Sequence, residues 1–125
     1  MSESQAPFRS IDHVQLAIPL GEEPAARRFY VDTLGMREVP KPPELRERGG
    51  LWCSSGDVFV HLGVDSNFRS AKTAHPAFCC PGYDALLQRA RSLGAQISDD
   101  GHLADGRRHC YIADPFGNRI ELIDG

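Results

Sequence analysis

Three histidines and one glutamate recur along this 125-residue chain in positions that could bring their side chains together. His13 lies in the stretch Asp12 to Pro19, where Val14, Leu16 and Ile18 alternate with His13, Gln15 and Ala17, the period-two pattern of a half-buried strand. His75 lies in Thr73 to Cys80 in the same way, with Ala77 in its phase. Val60-His61-Leu62 and Ile120-Glu121-Leu122 place a polar side chain between two apolar ones, so each points away from the face its neighbours bury. A lone strand histidine is more often a hydrogen-bonded core or surface residue than a ligand. Four residues in phase make a different case. Three imidazoles and a carboxylate form a nitrogen and oxygen set that suits zinc, iron(II), manganese, nickel or cobalt better than calcium or magnesium, whose shells are built from oxygen. Such a divalent transition metal acts as a Lewis acid on a substrate oxygen, and Glu121 is the residue placed to serve as a base beside it.

The elements that must carry these residues occur twice. After the strand at His13, a helix is expected from about Glu23, with Pro24 in its first turn, Phe29, Tyr30 and Leu34 on its apolar side and Gly35 ending it. Short strands are expected at Met36 to Val39, Gly50 to Ser54 and Asp57 to Val64, with a charged, proline-containing loop from Pro40 to Arg48. Residues 65 to 72 are small and polar, and the order then restarts: a strand at Thr73 to Cys80, a helix from about Asp84 with Leu86, Leu87, Ala90 and Leu93, then Gly94. Strands at Ala95 to Ser98, Arg108 to Ala113 and Arg119 to Ile123 complete the second half, the last two joined by Asp114-Pro115-Phe116-Gly117-Asn118. Each half reads βαβββ. His61 follows His13 by 48 residues and Glu121 follows His75 by 46, so His61 and Glu121 are equivalent positions of a pseudo-twofold repeat. The expected fold is α+β: one domain over 1–125, with module one at 11–64, a linker at 65–72 and module two at 73–125, curving mixed strands into a cup with helices outside.

Composition narrows the partners. A formal charge of −3 and the absence of any Lys/Arg block or basic-aromatic stripe give no reason to expect nucleic acid or an anionic membrane, and no apolar run reaches the ~18 residues of a span. The polar start, Met1 to Ser10, has no leader-like apolar core, which points to a cytoplasmic protein. Cys53, Cys79, Cys80 and Cys110 lack CxxC spacing and read as reduced, partly buried thiols. His102 and His109 fall outside the repeat and are expected at the surface or rim. Arg69, Lys72, Arg107 and Arg108 are expected to be solvated charge.

Several segments together resemble the vicinal oxygen chelate superfamily, which includes glyoxalase I, fosfomycin-resistance thiol transferases, bleomycin-resistance proteins and extradiol dioxygenases. They are Asp12-His13-Val14, Phe29-Tyr30 with Leu34-Gly35, Ala74-His75-Pro76-Ala77-Phe78, and the ending Asp114-Pro115-Phe116-Gly117-Asn118-Arg119-Ile120-Glu121-Leu122. The resemblance spans nearly the whole chain. It implies paired βαβββ modules, often in a homodimer, with metal ligands at His13, His75 and Glu121. At the position of His61 glyoxalase I carries a second glutamate and the fosfomycin enzymes carry no ligand. Histidine there removes the second carboxylate of the glyoxalase mechanism. The expectation is a metal-dependent enzyme of lyase, isomerase or dioxygenase type acting on a small oxygenated substrate. The alternative is a non-catalytic small-molecule binding protein of bleomycin-resistance type. The cup can form within one chain or across a swapped dimer that pairs His13 and His61 of one subunit with His75 and Glu121 of the other.

Overall fold

A computed structural model describes residues 5–125 of the protein, so the first four residues of the polar Met1 to Ser10 segment lie outside the described residues. Eight strands form two four-stranded mixed sheets. The first contains β1 (Val14–Ile18), β2 (Arg37–Val39), β3 (Leu51–Ser55) and β4 (Val58–Val64), in the order β1-β4-β3-β2. The second contains β5 (Ala77–Cys80), β6 (Gln96–His102), β7 (Arg108–Ala113) and β8 (Arg119–Asp124), in the order β5-β8-β7-β6. In each, the first strand pairs parallel with the last, and the other pairs are antiparallel. The helix between the first two strands of each half makes the crossover: α1 (Glu23–Arg27) in one and α2 (Tyr83–Ser92) in the other. This is the βαβββ repeat expected from the sequence.

Register confirms the repeat residue by residue. Gln15, His61 and Trp52 lie side by side across β1, β4 and β3, and Ala77, Glu121 and Tyr111 lie side by side across β5, β8 and β7. The intervening residues Ile18, Leu51, Cys53, Val60 and Leu62, with Cys110, Ile112, Ile120 and Leu122, are buried and face the helices in one hydrophobic cluster that also holds Phe29, Tyr30, Tyr83, Leu87 and Ala90. Sheet alternation therefore separates a helix-covered apolar face from a face carrying the candidate ligands. Gly35 and Gly94 end the two helical stretches at φ +77° and +82°, a conformation that an L side chain rarely adopts.

Several expected boundaries move. The strand expected at Thr73 begins only at Ala77, because Pro76 has no N–H to give a ladder; its carbonyl instead accepts the Glu121 N–H at 2.9 Å. His75 and His13 both sit just before their strands rather than within them. The first helix is not continuous: α1 gives way at Arg28–Thr33 to a π-helical stretch, with Leu34 N–H donating to Phe29 O at 2.9 Å and the Thr33 hydroxyl donating to Arg28 O at 3.3 Å. The charged loop after β2 contains a 3-10 segment, Pro43–Arg48. β6 runs on to His102 through a bulge in which Asp99 adopts φ +55°, so His102 belongs to a strand and not to a loop. Cys53, Cys80 and Cys110 are buried free thiols and Cys79 is an exposed one. Burial pushes the Cys53 thiol up to about 11.

The two halves are tied by a buried polar network. Asp114, in the β7–β8 turn, accepts the Tyr30 hydroxyl at 2.7 Å, the N–H groups of Phe116 and Asn118 at 2.9 and 2.8 Å, and the Asn118 side-chain amide at 2.8 Å. The same amide reaches Ala17 O on β1 at 2.8 Å. Burial, then the Asp114 carboxylate, raises the Tyr30 pKa far above its ordinary value, so the hydroxyl stays a donor. Tyr30→Phe removes one donor to a buried carboxylate and is expected to cost about 1.5–3 kcal/mol. Chemical denaturation beside an unchanged far-ultraviolet dichroism spectrum checks this.

Candidate metal-binding and substrate site

Each half contributes a separate group to the ligand-bearing face. In module two, His75 is held through Nδ1, which donates to Thr73 O at 2.7 Å, and its Nε2 lies 3.1 Å from Glu121 Oε1. The other carboxylate oxygen, Oε2, meets His109 Nδ1 at 2.9 Å. Glu121 is only 8% exposed, so both of its oxygens depend on these two imidazoles. Tyr111 packs edge-on to both rings, with centroids 5.1 Å from His75 and 5.7 Å from His109, and the Arg119 guanidinium lies 4.1 Å over the tyrosine ring.

Module one holds a stack of three rings. Trp52 and His61 lie parallel, with 3.8 Å between centroids and 2° between planes, and His13 covers the other side of His61 at 4.0 Å and 18°. His13 Nδ1 is 2.8 Å from Asp12 Oδ1, which leaves Nε2 free, the same choice of nitrogen that Thr73 imposes on His75. His61 has no such acceptor among the described residues. Burial, followed by the charges of His13 and Lys41, lowers its pKa, with Asp12 opposing, so His61 favours the neutral form.

The four expected ligands thus fall into two pairs, His13 with His61 and His75 with Glu121. Among the described residues no group of three or more His, Cys, Asp or Glu is arranged to hold a metal ion. A common cup within one chain is therefore not what this conformation presents. His109 corrects the expectation of a rim residue: its side chain is 16% exposed and it holds Glu121. Hairpin register contained the signal, since residues paired across the 114–118 turn put His109 opposite Ile123, one step along the same face from Glu121. Trp52 and Tyr111, equivalent in the repeat and both beside a candidate ligand, were also readable from strand phase. Arg107 and Arg108 pair at the surface with Asp105 and Asp84, as solvated charge should. No described helix is long and apolar enough to cross a membrane.

Three comparisons bear on this arrangement. The profile of the Glyoxalase/Bleomycin resistance protein/Dioxygenase superfamily matches residues 10–122. A crystal structure from Bacillus anthracis described as a glyoxalase family protein superposes with a TM-score of 0.90 at 45% identity, over 97% of this chain and 98% of that one. Lactoylglutathione lyase from Agrobacterium tumefaciens gives a TM-score of 0.70 at 22% identity over 95% and 96%. A fosfomycin resistance protein from Listeria monocytogenes gives 0.73 at 15% over 94% of both. The last two likenesses are of fold. None of the curated proteins matches the sequence.

The stack makes His61 readable by light, because Trp52 is the sole tryptophan. A protonated imidazole quenches indole more strongly than a neutral one, so Trp52 fluorescence should fall through a midpoint below the ordinary histidine value of 6.5, and His61→Ala should abolish that step. The unfolded state takes up this proton first on acidification. The contribution of His61 to stability is therefore complete above 6.5 and declines as pH falls below it.

Proposed function

The chain belongs to the Glyoxalase/Bleomycin resistance protein/Dioxygenase superfamily, and from that premise we propose that it is a metal-dependent enzyme, of lyase, isomerase or dioxygenase type, that acts on a small substrate with adjacent oxygens. One observation carries the reading. His13 and His75, equivalent in the repeat, both have Nδ1 turned to an oxygen acceptor and so present Nε2, and the Nε2 of His75 stands 3.1 Å from a buried carboxylate. A separation near 3 Å is what two neighbouring ligands of a divalent transition metal require when each bond is ~2.1 Å. Hydrogen-bond accounting agrees. Thr73 O can only accept, so Nδ1 of His75 carries a proton, and Nε2 facing a carboxylate then needs either a second proton or a metal ion between them. The donor set fits zinc, iron(II), manganese, nickel or cobalt.

In this reading His13, His75 and Glu121 hold the ion. His61 was expected as a fourth ligand, but two imidazoles that share one metal must have converging in-plane lone pairs, whereas His13 and His61 are stacked with planes nearly parallel. We assign His61 to supporting the His13 ring, with Trp52 behind it. The metal, when bound, supplies Lewis acidity to chelated substrate oxygens. Glu121 would serve as the base when it is free of the ion, with its Oε2 oriented by His109 and its Oε1 paired with His75. His75 and His109, with Tyr111 packed edge-on to both rings, limit water around that carboxylate, which is 8% exposed.

A homodimer reconciles the two separated pairs. Module one of one subunit set against module two of its partner assembles the three ligands that no single described chain brings together. The small oxygenated substrate binds between them, and four free thiols suit a cytoplasmic setting.

Metal analysis of protein purified without chelators should give about one transition-metal ion per subunit, falling severalfold in His75→Ala and Glu121→Gln and little in His61→Ala. A folded His75→Ala protein with unchanged stoichiometry would sink the ligand assignment, and wild-type protein that holds no metal even after reconstitution would favour a metal-free binding protein. Mixing His13→Ala with His75→Ala tests the shared cup: a mixed dimer regains one intact site of two if sites cross the interface, and none if each lies within a chain.

A further inference from the structure

Symmetry between the halves fails in one place beside the site. In module two, β6 and β7 are joined as a hairpin; in module one, the equivalent connection between β2 and β3 runs through the 3-10 segment Pro43–Arg48 and folds back over the ligand-bearing face. It closes a pocket of about 250 Å³ against β1, β3 and β4. Gln15, Trp52 and His61 form its floor, and Lys41 and Arg48 stand at its wall. That volume lies below the range that takes drug-sized ligands, so its occupant is small.

The charge of the pocket sets it apart from the chain. The protein carries a formal −3, yet two cations and no carboxylate line this cavity. Lys41 donates to Gly49 O and keeps the loop folded. Arg48 has no hydrogen-bond or ion-pair partner among the described residues, and its guanidinium offers five donors in a fixed fork. The carboxylate of Glu23 lies beside the pocket, accepts the Gly50 N–H at 2.8 Å and attracts Lys41, so Arg48 is the cation left uncompensated for an anion. Gln15 adds an amide: its side chain lies over Gly63, where a Cβ would sit 2.5 Å from the Gln15 nitrogen, so glycine at 63 is what lets the amide lie along the floor. Cationic wall, neutral amide floor and small volume describe an oxyanion site.

We propose that this pocket is a subsite for a small oxyanion, a carboxylate or phosphate group of the substrate, held by Arg48 and Lys41 with Gln15 beneath. The substrate class narrows accordingly to small acids whose charged end lies beside His61 while their other oxygens extend toward His13. This rests on the ligand-bearing face being the substrate site, but it requires no metal to be present. Unlike Arg107 and Arg108, which are paired with aspartates, Arg48 lines the pocket from an exposed position and has no ion-pair partner among the described residues.

Trp52, the sole tryptophan, lines the pocket and reports its occupancy. Metal-free protein is titrated with malonate, acetate and inorganic phosphate at constant ionic strength, with glycerol as the neutral control, for wild type, Arg48→Gln, Arg48→Lys and Lys41→Met. A saturable change with an anion, absent with glycerol, weakened at least about tenfold in Arg48→Gln and partly regained in Arg48→Lys, is the expected result. Preference between malonate and phosphate identifies the oxyanion. No saturation by any anion, or equal affinity in wild type and Arg48→Gln with both folded by circular dichroism, overturns the proposal. Lys41→Met also releases the loop tether, so Arg48→Gln decides. Metal stoichiometry is read separately, so loss of either reading leaves the other standing.

Discussion

The carboxylate of Asp114 is the buried charge around which the two halves meet. It is buried in a turn and accepts four hydrogen bonds: two from backbone N–H groups of its own turn, one from Asn118 and one from Tyr30 in the opposite module. A buried carboxylate without such partners would cost several kcal/mol, so the turn, the π-helical stretch that carries Tyr30 and the strand β1 contacted by Asn118 are fixed relative to one another by the need to satisfy one charge. Glu121 follows Asn118 by three residues, on the strand that leaves this turn. The constraint that joins the modules is thereby transmitted directly to the candidate base.

The repeat supplies the site with equivalent positions and then fills them differently. Row for row, Gln15-His61-Trp52 in one sheet corresponds to Ala77-Glu121-Tyr111 in the other. An aromatic side chain supports the ring or carboxylate beside it in both. One half thus provides stacked aromatic rings, and the other a carboxylate held between imidazoles. Putting the acidic and the neutral groups on different modules keeps Glu121 hydrogen-bonded while the site is open. In the proposed function, a complete ligand set then depends on how modules are brought face to face, which would make assembly part of the chemistry.

Much of this was legible beforehand because strand alternation and repeat spacing are local properties. The phases of His61 and Glu121, the helix stops at Gly35 and Gly94 and the βαβββ order all follow from side-chain period and from backbone preference. What escaped depended on partners distant in sequence. His109 was read as a rim residue because its role exists only once β7 lies against β8. The break in the first helix has no marker in residues 28–33, where Phe29, Tyr30 and Thr33 would suit a continuous helix equally well. The face-to-face relation of the four ligands was beyond strand phase, which states the direction of a side chain but not which sheet stands opposite.

At His61, residue type and ring direction point to different roles in the proposed site. Histidine at that position satisfies every sequence criterion for a ligand: residue type, phase and repeat equivalence to Glu121. Coordination adds a directional requirement, because the nitrogen lone pair lies in the ring plane and must point at the ion, and an acceptor on the other nitrogen is what normally holds that direction. His13 and His75 have such acceptors, from Asp12 and Thr73. His61 has aromatic faces on both sides instead, which fix the plane of its ring and pack it against His13. In the proposed site two histidines therefore bind, and the third keeps one of them in place.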